Sequence, residues 1–447
     1  MESEIRVFPQ PNGEIQRVHL VKPKSWSEVD FLKMTYDDPA LDQFAYIYRS
    51  FLVPGAPWLF GKLVMFRLPE GLETMVPMES NQYGSLGDKT TAAAALLRRG
   101  VRIVGGKPVF FDERARSLWK ALEEKKCLHV ICGKLPHTQI IPVGPLPGYM
   151  TRREQESRMK VNASFFIMDP IDCATVYDQI GTPLGLCVKN GVVENPPLFG
   201  REALMVRQDG KVTIEEPKLE ELELEIGGQT WKAGKNAMIW SRPENRMTPA
   251  VKGRKLVIVG CRVAAVTDRL CAEIPASGFV LCPGEKCSAR PGDRVVYRGM
   301  EDVKFGIQVG NSILRNGVKT EEFRSRFYNI RGMERVPFPP SLYPLDFENA
   351  RAARIALGAD ADGTPMILWA EGAGKVRYVA GQDSRGASLS DMAEMCAQLG
   401  MVNGVNLDGG GSAQILLDNR RELKISDRYP GDNWETERPV PLGLIVR

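Results

Sequence analysis

An acidic residue followed by three glycines and a serine is the stretch of this sequence best suited to chemistry. An apolar run, residues 402–407, leads into Asp408, and the glycines follow directly. Consecutive glycines cost backbone entropy that a simple turn does not require, and they let main-chain N–H groups approach an anion closely. Asp408 would repel a phosphate in such a cradle, so its charge must serve developing positive charge on a sugar carbon, a metal ion or a hydroxyl donor. A tight hairpin in which Asp408 has no chemical part is the alternative.

Other polar side chains stand beside apolar runs. Asn162 precedes two phenylalanines, and its amide is suited to gripping sugar hydroxyls or an N-acetyl group. The alternative for Asn162 is an Asx turn at the end of a predicted helix over residues 152–159. Glu371 ends the apolar run 366–370, a place where side chains often face a cleft. Asp391 lies in the first turn of a predicted helix, where the helix dipole favours a carboxylate without any catalytic need.

These motifs, in this order, resemble the phosphodiester glycosidase family. The segment 406–412 (NLDGGGS), preceded by 386–393 (GASLSDMA), is similar to the family's hallmark. The resemblance covers about residues 127–447, and it implies a sheet-rich catalytic domain that hydrolyses sugar 1-phosphodiesters. Ser164 stands where the family usually has glycine. Further matching segments are 161–166, 183–191, 274–281, 305–314, 354–358 and 437–440.

The chemistry of a sugar 1-phosphodiester assigns roles to these residues. The leaving group is a phosphate monoester, a weak base that needs little protonation, so one strong carboxylate can suffice. Asp408 is expected to face the positive ring carbon, and Arg354 is the best single cation because a guanidinium binds phosphate through two N–H groups. Asn162 and Glu371 complete the predicted catalytic set, with Glu371 as a second acid or base. The predicted substrate- and phosphate-binding residues are Asn406, Gly409, Gly410, Gly411, Ser412 and, as a weaker cation, Arg438.

A non-catalytic module that binds a glycosyl phosphate or a polysaccharide through the same loop is the rival interpretation. Asp408 favours an enzyme, because a binder has no use for an anion beside phosphate donors. No cofactor and no metal are expected, since the sequence lacks a phosphate-binding P-loop and the clustered ligands of a two-metal site. A Ser-His-Asp triad is disfavoured too, because only three histidines are present and no nucleophile-elbow motif accompanies them.

The elements that must position these residues indicate an α+β protein. A length of 447 residues predicts two or three domains. We expect a small α+β accessory domain at residues 1–126 and a sheet-rich catalytic domain with few helices at 127–447. Helices are predicted at 114–126 and 389–399, the second capped by Ser388. Three Asn-Gly or Asp-Gly turns, at 189–191, 208–210 and 315–317, predict tight hairpins.

Composition narrows the partners. Charged residues make up 26% of the chain, and 59 basic residues face 55 acidic ones, far from the basic stripe that nucleic-acid binding needs. No apolar run approaches a membrane span, so neither nucleic acid nor membrane is an expected partner, while a homo-oligomer stays open. Nine cysteines, an odd number within mostly apolar runs, and an N-terminus without a signal-peptide pattern predict free thiols and a cytoplasmic setting.

Overall fold

The fold is described from a computed structural model of the chain. Described are residues 1–33, 45–50, 64–66, 71–72, 75, 96–97, 100–104, 107–125, 128–130, 138–143, 157–166, 175, 177, 182–198, 200–242, 246–320, 329–330, 333–334, 351–372, 379–418, 420–421 and 440–447.

Short strands account for most of the described regular structure. In chain order they are β1 (Glu2–Pro9), β2 (Ile15–Lys22), β3 (Val29–Lys33), β4 (Ala45–Ser50), β5 (Val64–Phe66), β6 (Val101–Val104), β7 (Lys107–Phe110), β8 (Leu128–Val130), β9 (Thr138–Val143), β10 (Met159–Asn162), β11 (Cys187–Lys189), β12 (Val192–Asn195), β13 (Ala203–Arg207), β14 (Val212–Glu215), β15 (Glu223–Ile226), β16 (Gln229–Lys232), β17 (Ala237–Ser241), β18 (Lys255–Val259), β19 (Arg262–Thr267), β20 (Gly278–Pro283), β21 (Val295–Arg298), β22 (Val303–Gln308), β23 (Ser312–Arg315), β24 (Val318–Lys319), β25 (Asn329–Ile330), β26 (Met333–Glu334), β27 (Arg354–Ala359), β28 (Pro365–Ala370), β29 (Asn403–Asn406), β30 (Ile415–Leu417), β31 (Arg420–Arg421) and β32 (Leu442–Val446).

Two α-helices have defined bounds in the described part of the chain, α1 (Glu113–Glu124) and α2 (Leu389–Gln398). Each begins at a capped end: the side chain of Asp112 accepts from main-chain N–H groups of α1, and Ser388 forms a capping box with Asp391 in α2. Both helices were predicted within a few residues of these bounds, and the sheet-rich character of the predicted fold is confirmed. Short 3-10 helices lie at Pro11–Gly13, Leu219–Glu221 and Gly410–Ser412.

The chain divides into two compact units. Unit 1 comprises residues 1–34, 147–166 and 183–447, and unit 2 comprises residues 35–146 and 167–182. The predicted boundary at residue 126 differs from this division. The first 34 residues belong with the C-terminal strands, because β2 pairs with β28 and β3 pairs with β32. The partners of β2 and β3 lie more than 300 residues away in the sequence. A prediction from local sequence patterns could not detect such pairings, so it assigned these strands to a different domain.

Two sheets of unit 1 enclose the main core. The first sheet has the order β1-β2-β28-β27-β29-β23-β24, and the second has the order β3-β32-β10-β30-β31. Strand alternation sends Ile355, Leu357 and Val405 of the first sheet and Val161 of the second into one shared apolar cluster. The opposite face of the first sheet packs against α2 through residues such as Ala356, in a separate cluster. The first sheet therefore has a core face and a helix face.

A third sheet of unit 1, ordered β12-β11-β22-β13-β14, has apolar residues on both faces. Leu204 and Phe305 join the main core, whereas Met205 and Val188 join a second cluster. That second cluster is completed by residues of β15–β21, which form a three-stranded and a four-stranded sheet between β14 and β22. The third sheet is thus covered on both sides.

Local turn chemistry was predicted well. The Asn-Gly pairs at 190–191 and 316–317 both have positive φ at each residue, as their hairpins require, and they join β11 to β12 and β23 to β24. The predicted helix over 152–159 is wrong at its end, because Met159 begins strand β10; residues 152–156 lie outside the described residues. Among the described residues, no helix is long and apolar enough to cross a membrane.

Candidate active site

Asp408 lies where the chain passes from the first sheet to the second. The preceding strand β29 belongs to the first sheet and the following strand β30 to the second, so residues 407–414 are a connection between sheets. The hairpin alternative is therefore wrong. Two main-chain hydrogen bonds hold the start of this connection: Leu407 N donates to Ile355 O at 2.9 Å, and Asp408 N donates to Ala163 O at 2.9 Å. Asp408 is consequently held between β27 and the end of β10, and only 7% of it is exposed.

Arg354 and Asp408 form a buried pair of opposite charges. Strand alternation places both on the helix face of the first sheet, because their neighbours Ile355 and Leu407 lie in the main core. Burial lowers the pKa of Arg354 to about 10, and the charge of Asp408 acts in the opposite direction. The guanidinium is still protonated at neutral pH. Its Nε donates to Ala387 O at 3.3 Å, immediately before the cap of α2, so the pair lies beside a helix N-terminus that favours anions.

Asn162 closes the connection between the sheets. Its Nδ2 donates to Asp408 O at 2.8 Å, and its Oδ1 accepts from Gln414 N at 2.8 Å. One fully buried amide therefore ties together two main-chain groups six residues apart on either side of the glycines. This arrangement makes Asn162 a residue that positions the loop, whereas the sequence led us to expect a grip on substrate. The predicted Asx turn after a helix is wrong, because Asn162 ends a strand.

At two of the three positions in the loop, the structure explains why the residue is glycine. A Cβ on Gly409 would lie 2.9 Å from Ala353 O and 3.3 Å from Cδ of Arg354, so the arginine packs directly against this residue. Gly410 has φ +62, the left-handed region that favours glycine. Two N–H groups of the loop are already used, since Gly410 N donates to Ala353 O and Ser412 N to Gly409 O. An anion cradle would therefore draw on the N–H groups of Gly409 and Gly411.

Glu371 lies at the same end of the first sheet, but on its other face. It continues the pairing of β28 with β2, because its N–H donates to Arg17 O at 3.0 Å. Alternation after Ala370, which lies on the helix face, turns Glu371 to the core face, away from Arg354 and Asp408. Its carboxylate accepts from Arg17 Nη1 at 3.1 Å and from Ser384 Oγ at 2.6 Å. These contacts favour a structural ion pair over a second catalytic acid.

Asp391 has the structural role that its place in the helix predicts. It accepts from the main chain and hydroxyl of Ser388 and from Arg351 and Arg385, at 2.6 to 3.0 Å. Burial alone would raise its pKa, yet these hydrogen bonds and charges hold the pKa below its usual value. Asp391 therefore fixes the start of α2 beside the buried pair.

Several buried polar atoms around Asp408 have no hydrogen-bond partner in the described structure. They are both amide atoms of Asn406, which is 1% exposed, and the hydroxyl oxygen of Ser164. Buried polar groups without partners are rare and call for an explanation, and a bound polar ligand is one. Ser164 was missed as a site residue. Its signals in the sequence were period-two alternation from Asn162 and its place where the family usually has glycine.

A cavity of about 520 Å³ lies against β23 and β24, and β23 pairs with the strand that leads to Asp408. Its lining includes Gly310 and Asn311, whose main chain exchanges hydrogen bonds of 2.9 Å with Asn406. Arg201, Glu202, Arg315 and Lys319 contribute charge to the same lining. The volume falls in the range of small-molecule sites.

Ser412 and Arg438 complete the predicted binding residues. Ser412 is fully buried within the 3-10 turn, four residues from Asp408, and Arg438 lies outside the described residues. Across the described ranges, no group of three or more His, Cys, Asp or Glu side chains is placed to hold a metal ion.

A buried acid–arginine pair on a glycine-rich connection between two sheets thus defines the site. Residues 283–447, which contain that pair, match the phosphodiester glycosidase family. The resemblance predicted from the motifs is confirmed over this segment, and residues 127–282 lie outside the match.

The curated relatives match over a short stretch. N-acetylglucosamine-1-phosphodiester alpha-N-acetylglucosaminidase is 35% identical in Mus musculus and 34% in Homo sapiens over 100 residues. This stretch is 22% of the chain and 18% of each relative's length. Solved structures that cover 100% of the chain include a hypothetical protein from Synechocystis (TM-score 0.40, 15% identity, 62% of that chain) and the catalytic domain of the zebrafish enzyme of the same name (TM-score 0.33, 12% identity, 82% of that chain).

Proposed function

We propose that this protein hydrolyses the glycosidic bond between a sugar anomeric carbon and a phosphate. The observation that carries the proposal is the buried Arg354–Asp408 pair within the segment that matches the phosphodiester glycosidases. A sugar 1-phosphodiester develops positive charge on the ring carbon and negative charge on the departing phosphate as the bond breaks. A buried anion and a buried cation close enough to interact electrostatically fit these two charges.

The surroundings of the pair support this division of labour. Asp408 supplies the carboxylate for the ring carbon, either as nucleophile or as electrostatic stabiliser, and Arg354 supplies N–H groups for the phosphate oxygens. The lack of a Cβ at Gly409 lets Arg354 pack against the glycine loop, which places the guanidinium beside the main-chain N–H groups proposed to meet a phosphate. The first turn of α2 adds a partial positive charge on the same side. No protonated acid is required for a leaving group this weakly basic.

Two substitutions test the assignment with a panel of sugar 1-phosphodiesters. Asp408→Asn is nearly isosteric and should lower turnover about a hundredfold or more. Arg354→Lys keeps the charge but loses the two-pronged geometry, and should cost about 1 to 3 kcal/mol of transition-state stabilisation. Glu225→Gln and Arg298→Lys change an exposed ion pair elsewhere in unit 1; they are matched controls, and their turnover should stay within a few-fold of wild type.

The outcomes separate an enzyme from a binding module. Release of a phosphomonoester by the wild type, lost in Asp408→Asn, supports the proposal. Wild-type turnover in a folded Asp408→Asn variant contradicts the role of this carboxylate. Tight binding of the phosphodiesters without any product favours the non-catalytic module. Exhaustive chelation should leave turnover unchanged; restoration of lost activity by a divalent ion would make Asp408 a metal ligand instead.

A further inference from the structure

The outer edge of the first sheet is an exposed strand. Strand β1 pairs with β2 on one side, and no other strand of the described residues pairs with it on the other. Residues 2–7 are all exposed, including Ile5 at 48% and Val7 at 55%. An exposed edge with apolar residues offers its main-chain groups to another strand, and proteins usually block such edges with charged side chains, bulges or prolines.

The main-chain groups that face outward on β1 can be identified. Gln10 N donates to Glu14 O at 2.9 Å, in register with the β1–β2 pairing, so even-numbered residues of β1 exchange hydrogen bonds with β2. The other side of β2 agrees, since Arg17 O accepts from Glu371 N of the neighbouring strand. The N–H and C=O groups of Ser3, Ile5 and Val7 therefore point away from the sheet.

We propose that β1 pairs with β1 of a second copy of this chain, antiparallel and centred on Ile5, so that the two first sheets continue through the dimer. In this register Ile5 faces its own equivalent and Ser3 faces Val7, so the outward groups of both strands meet each other. A twofold axis midway between the two copies of Ile5 makes the interface self-complementary, as closed dimers require.

The charges of β1 fit this register and no like-charge barrier opposes it. Glu4 and Arg6 lie on one face of the strand, 2.9 Å apart as an exposed ion pair. In the centred antiparallel register, Glu4 stands directly opposite Arg6 of the second copy, and Arg6 opposite Glu4. These are non-hydrogen-bonded positions, where side chains are closest, and opposite charges across strands stabilise a sheet. Ile5 and Val7 of both copies form an apolar row on the other face.

The mass of the full-length protein in solution tests the pairing. Sedimentation velocity from about 1 to about 200 μM should show a shift from the 49.7 kDa monomer towards twice that mass. Glu4→Arg, or Arg6→Glu, places like charges opposite each other in both halves of the interface and should weaken dimerisation at least about tenfold. The double reversal Glu4→Arg with Arg6→Glu restores complementarity and should recover the dimer.

Controls keep the test specific. Arg298→Glu reverses an exposed strand arginine elsewhere in unit 1, paired with Glu225, and should leave dimerisation unchanged. Circular dichroism should show that all variants keep their strands. A monomer at every concentration overturns the proposal, as does a dimer that is indifferent to the single reversals. A double reversal that stays monomeric refutes the proposed register.

Discussion

Replacing Asn162 tests whether this residue holds the loop or acts on substrate. Asn162→Ala removes the donor to Asp408 O and the acceptor for Gln414 N, and both main-chain groups stay buried. Each buried group left without a partner costs about 1 to 3 kcal/mol, so the free energy of unfolding should fall by about 2 to 6 kcal/mol. That is a large share of the roughly 5 to 15 kcal/mol that stabilises a typical domain.

Hydrogen exchange reports the change where it occurs. The Gln414 amide should exchange at least about 30-fold faster in Asn162→Ala, the equivalent of about 2 kcal/mol. Asn162→Asp should protect that amide more than Asn162→Ala does, because a carboxylate oxygen still accepts from it while the donor to Asp408 O is lost. Asn195→Ala is the matched control: Asn195 is also buried and bonds a carbonyl, that of Gly185, away from the glycine loop.

The pattern across these variants distinguishes the two roles. If Asn162 positions the loop, unfolding, exchange at Gln414 and turnover change together, and Asn195→Ala lowers stability without accelerating that exchange. If Asn162→Ala keeps its stability and its slow exchange but loses turnover, the side chain contacts substrate directly. The reasoning from the two hydrogen bonds would then be refuted.

Other predictions concern the glycines, acid stability and the thiols. Gly409→Ala should lower the free energy of unfolding more than Gly410→Ala in thermal unfolding, because a Cβ on residue 409 would meet a carbonyl oxygen at 2.9 Å. A Cβ on residue 410 has nothing within 4 Å, so only the positive φ costs stability there, about 1 kcal/mol. Because the pKa of Asp391 is lowered in the folded state, its carboxylate stabilises the fold above the ordinary pKa of 3.8, and this stabilisation is lost as the pH falls through the pKa of the folded state. Asp391→Asn should therefore flatten the acid side of the profile of stability against pH, and an unchanged profile would contradict this. Alkylation without reductant should find no disulfide-bonded pair, and it should label Cys271 before Cys396, because Cys396 is buried and burial raises the pKa of its thiol. The reverse order of labelling would contradict this reasoning, and a disulfide would contradict the predictions of free thiols and a reducing compartment.

The sequence predicted best those features that depend on neighbours along the chain. The capping of α2 by Ser388 and the Asn-Gly hairpins need only a few adjacent residues, and both are confirmed. That Arg354 and Asp408 belong to one site was expected from the motif resemblance and from phosphate chemistry, but their electrostatic pairing was not predicted. Strand alternation could not reveal it, because alternation assigns a face but does not say which strands are adjacent.

The sequence failed where the answer depends on distant partners. Glu371 was expected in the site because it ends an apolar strand, yet its face and its ion pair with Arg17 depend on β2, a strand predicted in another domain. Asn162 bonds groups 246 and 252 residues away, and no local pattern encodes those contacts. The accessory domain of unknown role predicted at residues 1–126 stays a prediction.

The place of β2 in the first sheet has a consequence for biosynthesis. Its residue Gln16 bonds a carbonyl 355 residues further along the chain, so β2 leaves the ribosome long before the strand that it pairs with. At roughly 5 to 20 residues per second, that delay is about 20 to 70 s. Throughout it, the apolar strand β2 lacks the neighbour that will cover its edge, which exposes the nascent chain to mispairing. Nascent-chain folding, rather than final stability, is therefore where we expect this architecture to depend on chaperones.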